Sequence, residues 1–191
     1  VDVRSDSEQV FYGSIAIHDE KKQAATLNLL AFGDECSMAA TSVAHDGVPR
    51  SLPTDFRVTI PHTELGQSCA TLEIAGTSTS SALVVHVPRR VGSTDVGILH
   101  VETLSSEKDE HSVTGTVSMP GDKMSVVLKV YESVIHDVLC LQETSVVAPM
   151  NTVDIDAETG FYKLEGLQRG MYTLVVHMKG HHSASRIIHL T

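Results

Sequence analysis

Short runs in which apolar and polar residues alternate recur along the whole chain. β-Branched residues dominate these runs, and no segment keeps a helical period of 3.6 residues over three turns. Turn-forming residues such as Asp46-Gly47 and Pro120-Gly121-Asp122 separate the runs. Many short strands at such spacing are typical of antiparallel β-sandwiches. The pattern predicts an all-β protein with little helix. Its predicted strands include VFYGSIAI, AATLNLLAF, DFRVTI, CATLEI, SALVVHV, SVTGTVSM, MSVVLKVY, VLCLQETSVV, GFYKL, MYTLVV and RIIHL.

Four segments of the first half recur in the second half, in the same order, at an offset of 102 or 103 residues. The matching pairs are GSIAI at Gly13 with GTVSM at Gly115, TSVA at Thr41 with TSVV at Thr144, ATLEI at Ala70 with YTLVV at Tyr172, and VVHV at Val84 with IIHL at Ile187. This duplication predicts two tandem sandwich domains, residues 1–105 and 106–191. The alternating stretch VGILHVETL predicts an extra strand over about 96–104 that closes the first domain.

A glycine-punctuated pattern marks the end of the second repeat. Gly160-Phe161-Tyr162-Lys163-Leu164 is followed by Gly166-Leu167-Gln168-Arg169-Gly170-Met171-Tyr172 and then by Lys179-Gly180. With Gly115 upstream, this pattern resembles the transthyretin-like, carboxypeptidase-regulatory-like domains. The resemblance implies seven-stranded sandwiches of the prealbumin-like or immunoglobulin-like kind, in tandem or appended to other modules. It also implies an extracytoplasmic setting, which means secreted, at the cell surface or in a secretory lumen. The first repeat has Leu65–Ala70 at the corresponding turn and joins the family only through the duplication.

Alternation also predicts which residues of the repeats are structural. Tyr162 and Leu164 share one face of a strand, and Tyr172 begins the inward face of the next. Gly160 and Gly170 stand where the chain must turn, and glycine accepts a positive φ there at little cost. In the first repeat the matching inward set is Phe56, Val58, Leu72 and Ile74.

The chain has three cysteines, too few for a disulfide scaffold. The repeat offset aligns Cys36 with Leu139 and Cys69 with Met171. Because both counterparts are apolar, Cys36 and Cys69 are predicted to face the core of the first domain. They either bridge each other or pack as two thiols. Cys140 is predicted to be an unpaired strand thiol.

Bulk charge narrows the classes of partner. The 191 residues carry a formal net charge of −10, and the nearest thing to a basic patch is the pair Arg89-Arg90. Nucleic-acid binding needs a concentrated basic face, so it is not expected. No apolar run is long enough to span a bilayer, and no transmembrane segment is predicted.

Eleven histidines raise the question of a metal site. The densest group is HMKGHH, with His177, His181 and His182, and His189 is nearby. A solvated strand end and loop explains this group without a metal, since no HExxH or paired-cysteine signature accompanies it. No cofactor and no metal are predicted. Nucleophile elbows and phosphate-binding glycine loops are also missing from the sequence, so we expect no catalysis.

These observations favour a non-catalytic tandem module that serves as a scaffold or protein-interaction arm of a larger extracytoplasmic protein or assembly. The alternative is a carbohydrate-binding module, in which exposed aromatic rings stack on sugars. The rings available for that role are Phe11, Tyr12, Phe32, Tyr131 and Phe161. A third reading is a histidine-based metal site or a hydrolase.

Overall fold

The computed structural model describes residues 8–18, 25–32, 38–45, 53–61, 69–76, 82–90, 92–102, 110–118, 126–143, 148–178 and 182–191. Its strands are β1 (Glu8–His18), β2 (Ala25–Phe32), β3 (Met38–His45), β4 (Thr54–Pro61), β5 (Cys69–Gly76), β6 (Leu83–Pro88), β7 (Gly92–Glu102), β8 (His111–Thr116), β9 (Val126–Tyr131), β10 (Val134–Ile135), β11 (Asn151–Asp154), β12 (Phe161–Leu167), β13 (Gly170–Met178) and β14 (Ala184–Leu190). The described residues contain one short helix, α1 (Cys140–Glu143). No helix among them is both long and apolar enough to span a bilayer.

The first sandwich packs a sheet of order β4-β1-β7 against a sheet of order β10-β6-β5-β2-β3. Alternate residues of each strand point into the space between the sheets and form one apolar core. Phe11 and Leu72 are buried there, and so is the predicted inward set of Phe56, Val58 and Ile74.

The second sandwich packs the pair β12-β8 against a sheet of order β11-β9-β13-β14. Its core is separate and contains Leu128, Val130, Leu164, Tyr172 and Leu174. The strand orders of the two sandwiches correspond, since β6-β5-β2-β3 matches β14-β13-β9-β11 and β4-β1 matches β12-β8. The prediction of an all-β protein with two tandem sandwiches is therefore confirmed, and the correspondence supports the duplication.

The two repeat glycines, Gly13 and Gly115, are each paired with an aromatic residue on the neighbouring strand. Gly13 is paired with Phe56, and Gly115 is paired with Tyr162. A Cβ added at Gly13 would lie 3.3 Å from the Phe56 ring and 2.6 Å from the Gly97 carbonyl oxygen. A Cβ at Gly115 would lie 2.5 Å from the Tyr162 hydroxyl. An aromatic ring therefore covers a glycine in both sandwiches, and only a residue without a side chain leaves room for it.

Two sequence predictions fail in their details. The hairpin registers pair Thr71 with His86 but Thr173 with Ile187, so VVHV and IIHL are offset by two residues from the proposed match. His86 and His189 consequently do not occupy equivalent positions. The predicted strand VLCLQETSVV instead contains a turn followed by α1, and Thr144 and its next three residues lie outside the described ones.

Two strand pairs are parallel, in contrast to the antiparallel pairing expected throughout. Strand β7 lies beside β1 in the first sandwich, where the alternating VGILHVETL run was expected to add a strand. Strand β10 follows β9 of the second sandwich in the chain but pairs with β6 of the first. The division between residues 105 and 106 stays a prediction, and β10 contributes to the sheet of the other sandwich.

Replacing Gly160 with alanine is expected to cost more stability than replacing Gly166 with alanine. Both glycines have positive φ, 68° and 72° respectively, so both substitutions carry the backbone penalty of about 1 kcal/mol. An alanine Cβ at Gly160 would also collide with the Val117 carbonyl oxygen, whereas the space around Gly166 is open. Urea denaturation of the two variants measures the difference. Equal losses would contradict the close approach at Gly160.

Candidate functional site

Backbone hydrogen bonds form the first of several connections between the two sandwiches. Val134 pairs with Val85 and Ile135 pairs with His86 in the parallel ladder of β10 and β6. The ladder continues where the His136 amide donates to the His86 carbonyl at 3.0 Å. A segment of the second repeat thus extends a sheet of the first, and it covers the β6 edge at Val85 and His86.

A buried threonine positions this segment. The Thr173 hydroxyl on β13 donates to the Ser133 carbonyl at 2.7 Å and accepts from the Ile135 amide at 2.9 Å. Thr173 is fully buried, so these bonds form away from water, where an unpaired hydroxyl would be costly. The side chain therefore ties the central strand of the second sandwich to the strand that enters the first.

A disulfide also crosses the junction, and it differs from the predicted cysteine chemistry. Cys69 at the start of β5 is bonded to Cys140 at the start of α1. Cys140 is therefore not a free strand thiol, and Cys69 does not pair with Cys36, which lies outside the described residues. The two bonded cysteines pack with Tyr131, Ile135 and Val175 in a third apolar cluster, apart from the two sandwich cores.

Met171 joins the sandwiches a second time. It belongs to β13 of the second sandwich but is buried with the core of the first. Its sulfur accepts a hydrogen bond from the His100 amide on β7 at 3.1 Å. The junction is thus continuous from the disulfide cluster through β10 and Met171 to the end of β7.

Beyond Met171 three histidines come together, which we call the histidine cluster: His18, His100 and His189. One ring nitrogen from each lies within 4.8 Å of the other two. His18 Nε2 and His100 Nδ1 are 2.8 Å apart, and the His100 and His189 rings stack at a centroid distance of 4.0 Å. These are the described residues that could hold a metal ion.

Strand alternation explains how the cluster forms. Leu99 and Val101 point into the first core, so His100 and Glu102 project from the opposite face of β7. His18 pairs with Glu102 in the parallel register and shares that face. His189 arrives from β14 of the second sandwich, where it is paired with Met171.

An acidic residue completes this group. His189 Nε2 lies 3.0 Å from Glu102 Oε1, and both side chains are mostly shielded from solvent. Burial lowers the pKa of His100 below its ordinary value, and the neighbouring His189 and His18 lower it further, while Glu102 acts in the opposite direction. The neutral imidazole is therefore the favoured form of His100 at neutral pH.

Of the predicted histidines, His177 and His182 are described, and neither belongs to a group of possible metal ligands among the described residues. His177 is half-buried beside the Ser183 hydroxyl at 2.9 Å, His182 is exposed, and His181 lies outside the described residues. Sequence reasoning noted His189 but missed His18 and His100. Alternation with apolar core residues places each of these histidines on the outward face of its strand. The nearby sequence does not predict that β1 and β7 pair in parallel, so it does not predict that the histidines meet.

The predicted structural residues lie in and around the second core. Leu164 and Tyr172 are buried, Tyr162 is half-buried over Gly115, and the Tyr172 hydroxyl donates to the Gln168 carbonyl at 2.9 Å. Gly160 and Gly170 both have positive φ. The turn between β12 and β13 leads from one sheet of the sandwich to the other, because β12 pairs with β8 and β13 with β9 and β14.

Few of the aromatic rings considered for sugar stacking are accessible. Phe11 is fully buried and Tyr131 is 4% exposed, so neither can stack on a ligand. Tyr12 and Phe161 are exposed, on separate sandwiches, and the side chain of Phe32 lies outside the described ones.

Replacing His86 with glutamine is expected to weaken the loss of stability in mild acid. Burial lowers the pKa of His86 below 6.5, so the unfolded chain binds a proton at a higher pH than the native one. The free energy of unfolding should therefore fall as pH decreases from above 6.5 through the lowered native pKa. Urea denaturation between about pH 8 and about pH 5 measures this slope. His182, which is exposed, provides the matched control variant, and an unchanged slope in His86→Gln would contradict the assignment.

Comparisons with known proteins provide no family. No protein-family model matches the chain, and no curated protein matches it in sequence. Among solved structures, domains 3 and 4 of rat CD4 align with 93% of this chain and 99% of their own, at 11% identity and a TM-score of 0.23. Since this similarity is too low to carry an argument, function is argued from the junction and the exposed surfaces alone.

Proposed function

We propose that the two sandwiches form a rigid, non-catalytic arm that holds a protein partner at a fixed position within a larger extracytoplasmic protein or assembly. The observation that carries the proposal is the triple connection across the junction: the Cys69–Cys140 disulfide, the β10–β6 ladder and Met171 in the core of the first sandwich. Two sandwiches joined only by a flexible connector would need none of these contacts.

The disulfide supports the extracytoplasmic setting. Disulfides form and persist in oxidising compartments and are rare where thiols are kept reduced. Cys69 and Cys140 are buried together in an apolar cluster, which shields the bond from reductants. The glycine pattern from Gly160 to Tyr172 supports placing the second sandwich with the transthyretin-like, carboxypeptidase-regulatory-like domains, which often accompany other modules.

The contact surface that we assign to the partner is the outer face of the β4-β1-β7 sheet. Tyr12 on β1 and Ile98 on β7 are large apolar side chains, and each is about half exposed there, at 42% and 52%. Aromatic and aliphatic side chains that are exposed on neighbouring strands are frequent anchors of protein interfaces.

Two measurements test the arm. Small-angle X-ray scattering of the oxidised protein is expected to fit one orientation of the sandwiches, and a broad distribution of orientations would exclude a rigid arm. A photo-crosslinking residue at Tyr12 or Ile98 should then capture a specific protein from the native source. The same residue at Lys163, which is exposed on the second sandwich, is the control. If neither Tyr12 nor Ile98 captures a protein and the chain binds on a glycan array, the carbohydrate-binding alternative is favoured.

A further inference from the structure

We propose that the histidine cluster is a binding site for one Zn²⁺ ion, shared between the two sandwiches. His18 and His100 would supply ligands from β1 and β7, and His189 would supply one from β14. This site does not depend on the proposed function, because the disulfide and the β10–β6 ladder join the sandwiches without it.

The spacing of the ring nitrogens fits a single ion after small movements. Zinc binds imidazole nitrogen at about 2.0–2.1 Å, so two ligands of a tetrahedral site are about 3.3 Å apart. The His18 and His100 nitrogens are now slightly closer than that, at 2.8 Å, and no pair in the cluster exceeds 4.8 Å. Small side-chain rotations that move the ring nitrogens by about 1 Å would bring all three to this spacing.

The chemistry of the donors selects the class of metal. Three neutral imidazoles suit borderline ions such as Zn²⁺ rather than Mg²⁺ or Ca²⁺, which prefer oxygen ligands. His18 is exposed, so an ion can enter from solvent, and a water molecule can take the fourth position.

Glu102 acts as a positioning residue in this site. It lies 3.0 Å from His189 Nε2 and so restrains the imidazole. Carboxylates in this role orient histidine ligands and raise their basicity. Glu132 and Arg169 line a cleft together with His100 and Glu102, so two carboxylates and one guanidinium border the His100 side of the cluster.

The stacked rings have a consequence for stability as well as for binding. Without an ion, three imidazoles face one another at centroid distances of 4.0–5.1 Å, and protonating more than one of them would bring like charges together. With an ion, the same rings become ligands of one centre, which links β14 to β1 and β7. Bound Zn²⁺ should therefore raise the melting temperature of the whole arm.

The test is a Zn²⁺ titration of the metal-free, disulfide-intact protein by isothermal titration calorimetry near neutral pH. We expect one ion per chain and a higher melting temperature. His100→Ala and His189→Ala should each weaken binding by at least about tenfold, and Glu102→Gln by roughly 10–100-fold. His182→Ala and His177→Ala are matched controls, since both histidines lie near β14 but outside the cluster, and they should bind Zn²⁺ as the wild type does.

Two further readouts keep the result unambiguous. Circular dichroism of the metal-free variants establishes that each is folded. Co²⁺ substituted for Zn²⁺ should give the visible absorption of a tetrahedral nitrogen site in the wild type and in the two control variants, and a weaker absorption in His100→Ala and His189→Ala. The absence of saturable Zn²⁺ binding would overturn the proposal. It would equally be overturned if His100→Ala and His189→Ala kept full affinity, or if His182→Ala lost as much affinity as they did.

Discussion

Replacing both Cys69 and Cys140 with serine is expected to lower the free energy of unfolding by about 4 kcal/mol. The bond joins residues separated by 71 positions, so it removes a large amount of conformational entropy from the unfolded chain. Because it also connects the two sandwiches, the variant should unfold in two resolved transitions rather than one. Urea denaturation followed by circular dichroism measures both effects. The double substitution leaves Cys36 as the only thiol, which prevents reshuffling to a new pair.

Cys36→Ser is the matched control for this prediction. It retains the Cys69–Cys140 bond and should therefore unfold in a single transition. Peptide mapping of the wild-type protein under non-reducing conditions should recover a Cys69–Cys140 cross-link. A cross-link between Cys36 and Cys69, with no loss of stability in a Cys140→Ser variant, would contradict the pairing and with it the covalent connection of the arm.

Replacing Tyr172 with alanine is expected to destabilise the second sandwich by about 3–5 kcal/mol. Tyr172 is 1% exposed and is among the largest fully buried side chains described, so truncation removes its packing and leaves a cavity. Tyr172→Phe keeps the ring and loses only the hydrogen bond to the Gln168 carbonyl, at a cost of about 1 kcal/mol.

Urea denaturation of the two Tyr172 variants separates packing from hydrogen bonding. Tyr12→Ala is the control because Tyr12 is an exposed tyrosine, and its loss should change stability by no more than about 0.5 kcal/mol. The prediction fails if Tyr172→Ala and Tyr12→Ala have similar unfolding midpoints, since that would place Tyr172 outside the core.

The contrast between Tyr172 and Cys69 illustrates what local pattern can predict. Alternation along YTLVV places Tyr172 and Leu174 on one face, and both are buried in the second core. The repeat offset aligns Cys69 with the apolar Met171 and so predicts a core position, and Cys69 is buried, but in the junction cluster with Cys140. Local sequence patterns therefore predict that a residue is buried, but they do not predict whether it packs in a sandwich core or at the junction.

The histidines make the same point more strongly. HMKGHH is dense in sequence, yet the described histidines that converge are His18, His100 and His189, from three different strands. His18 and His100 are separated by 82 residues, and Glu102 and His189 by 87. Their meeting depends on the parallel pairing of β1 with β7 and on the docking of β14, and neither contact leaves a trace in the nearby sequence.

The amino-acid sequence alone determined the strand-rich fold, the duplication and the inward faces of the strands, because these follow from period-two alternation and turn residues, which are local. The tertiary structure decided the two parallel pairs, the partner of Cys69, the two-residue shift between His86 and His189, and the histidine cluster. The β1–β7 pair and the register shift depend on packing within a sandwich, and the β10–β6 pair, the disulfide and the place of His189 depend on packing one sandwich against the other. In both cases the free energy of packing is distributed over residues far apart in the chain, so no single segment encodes it.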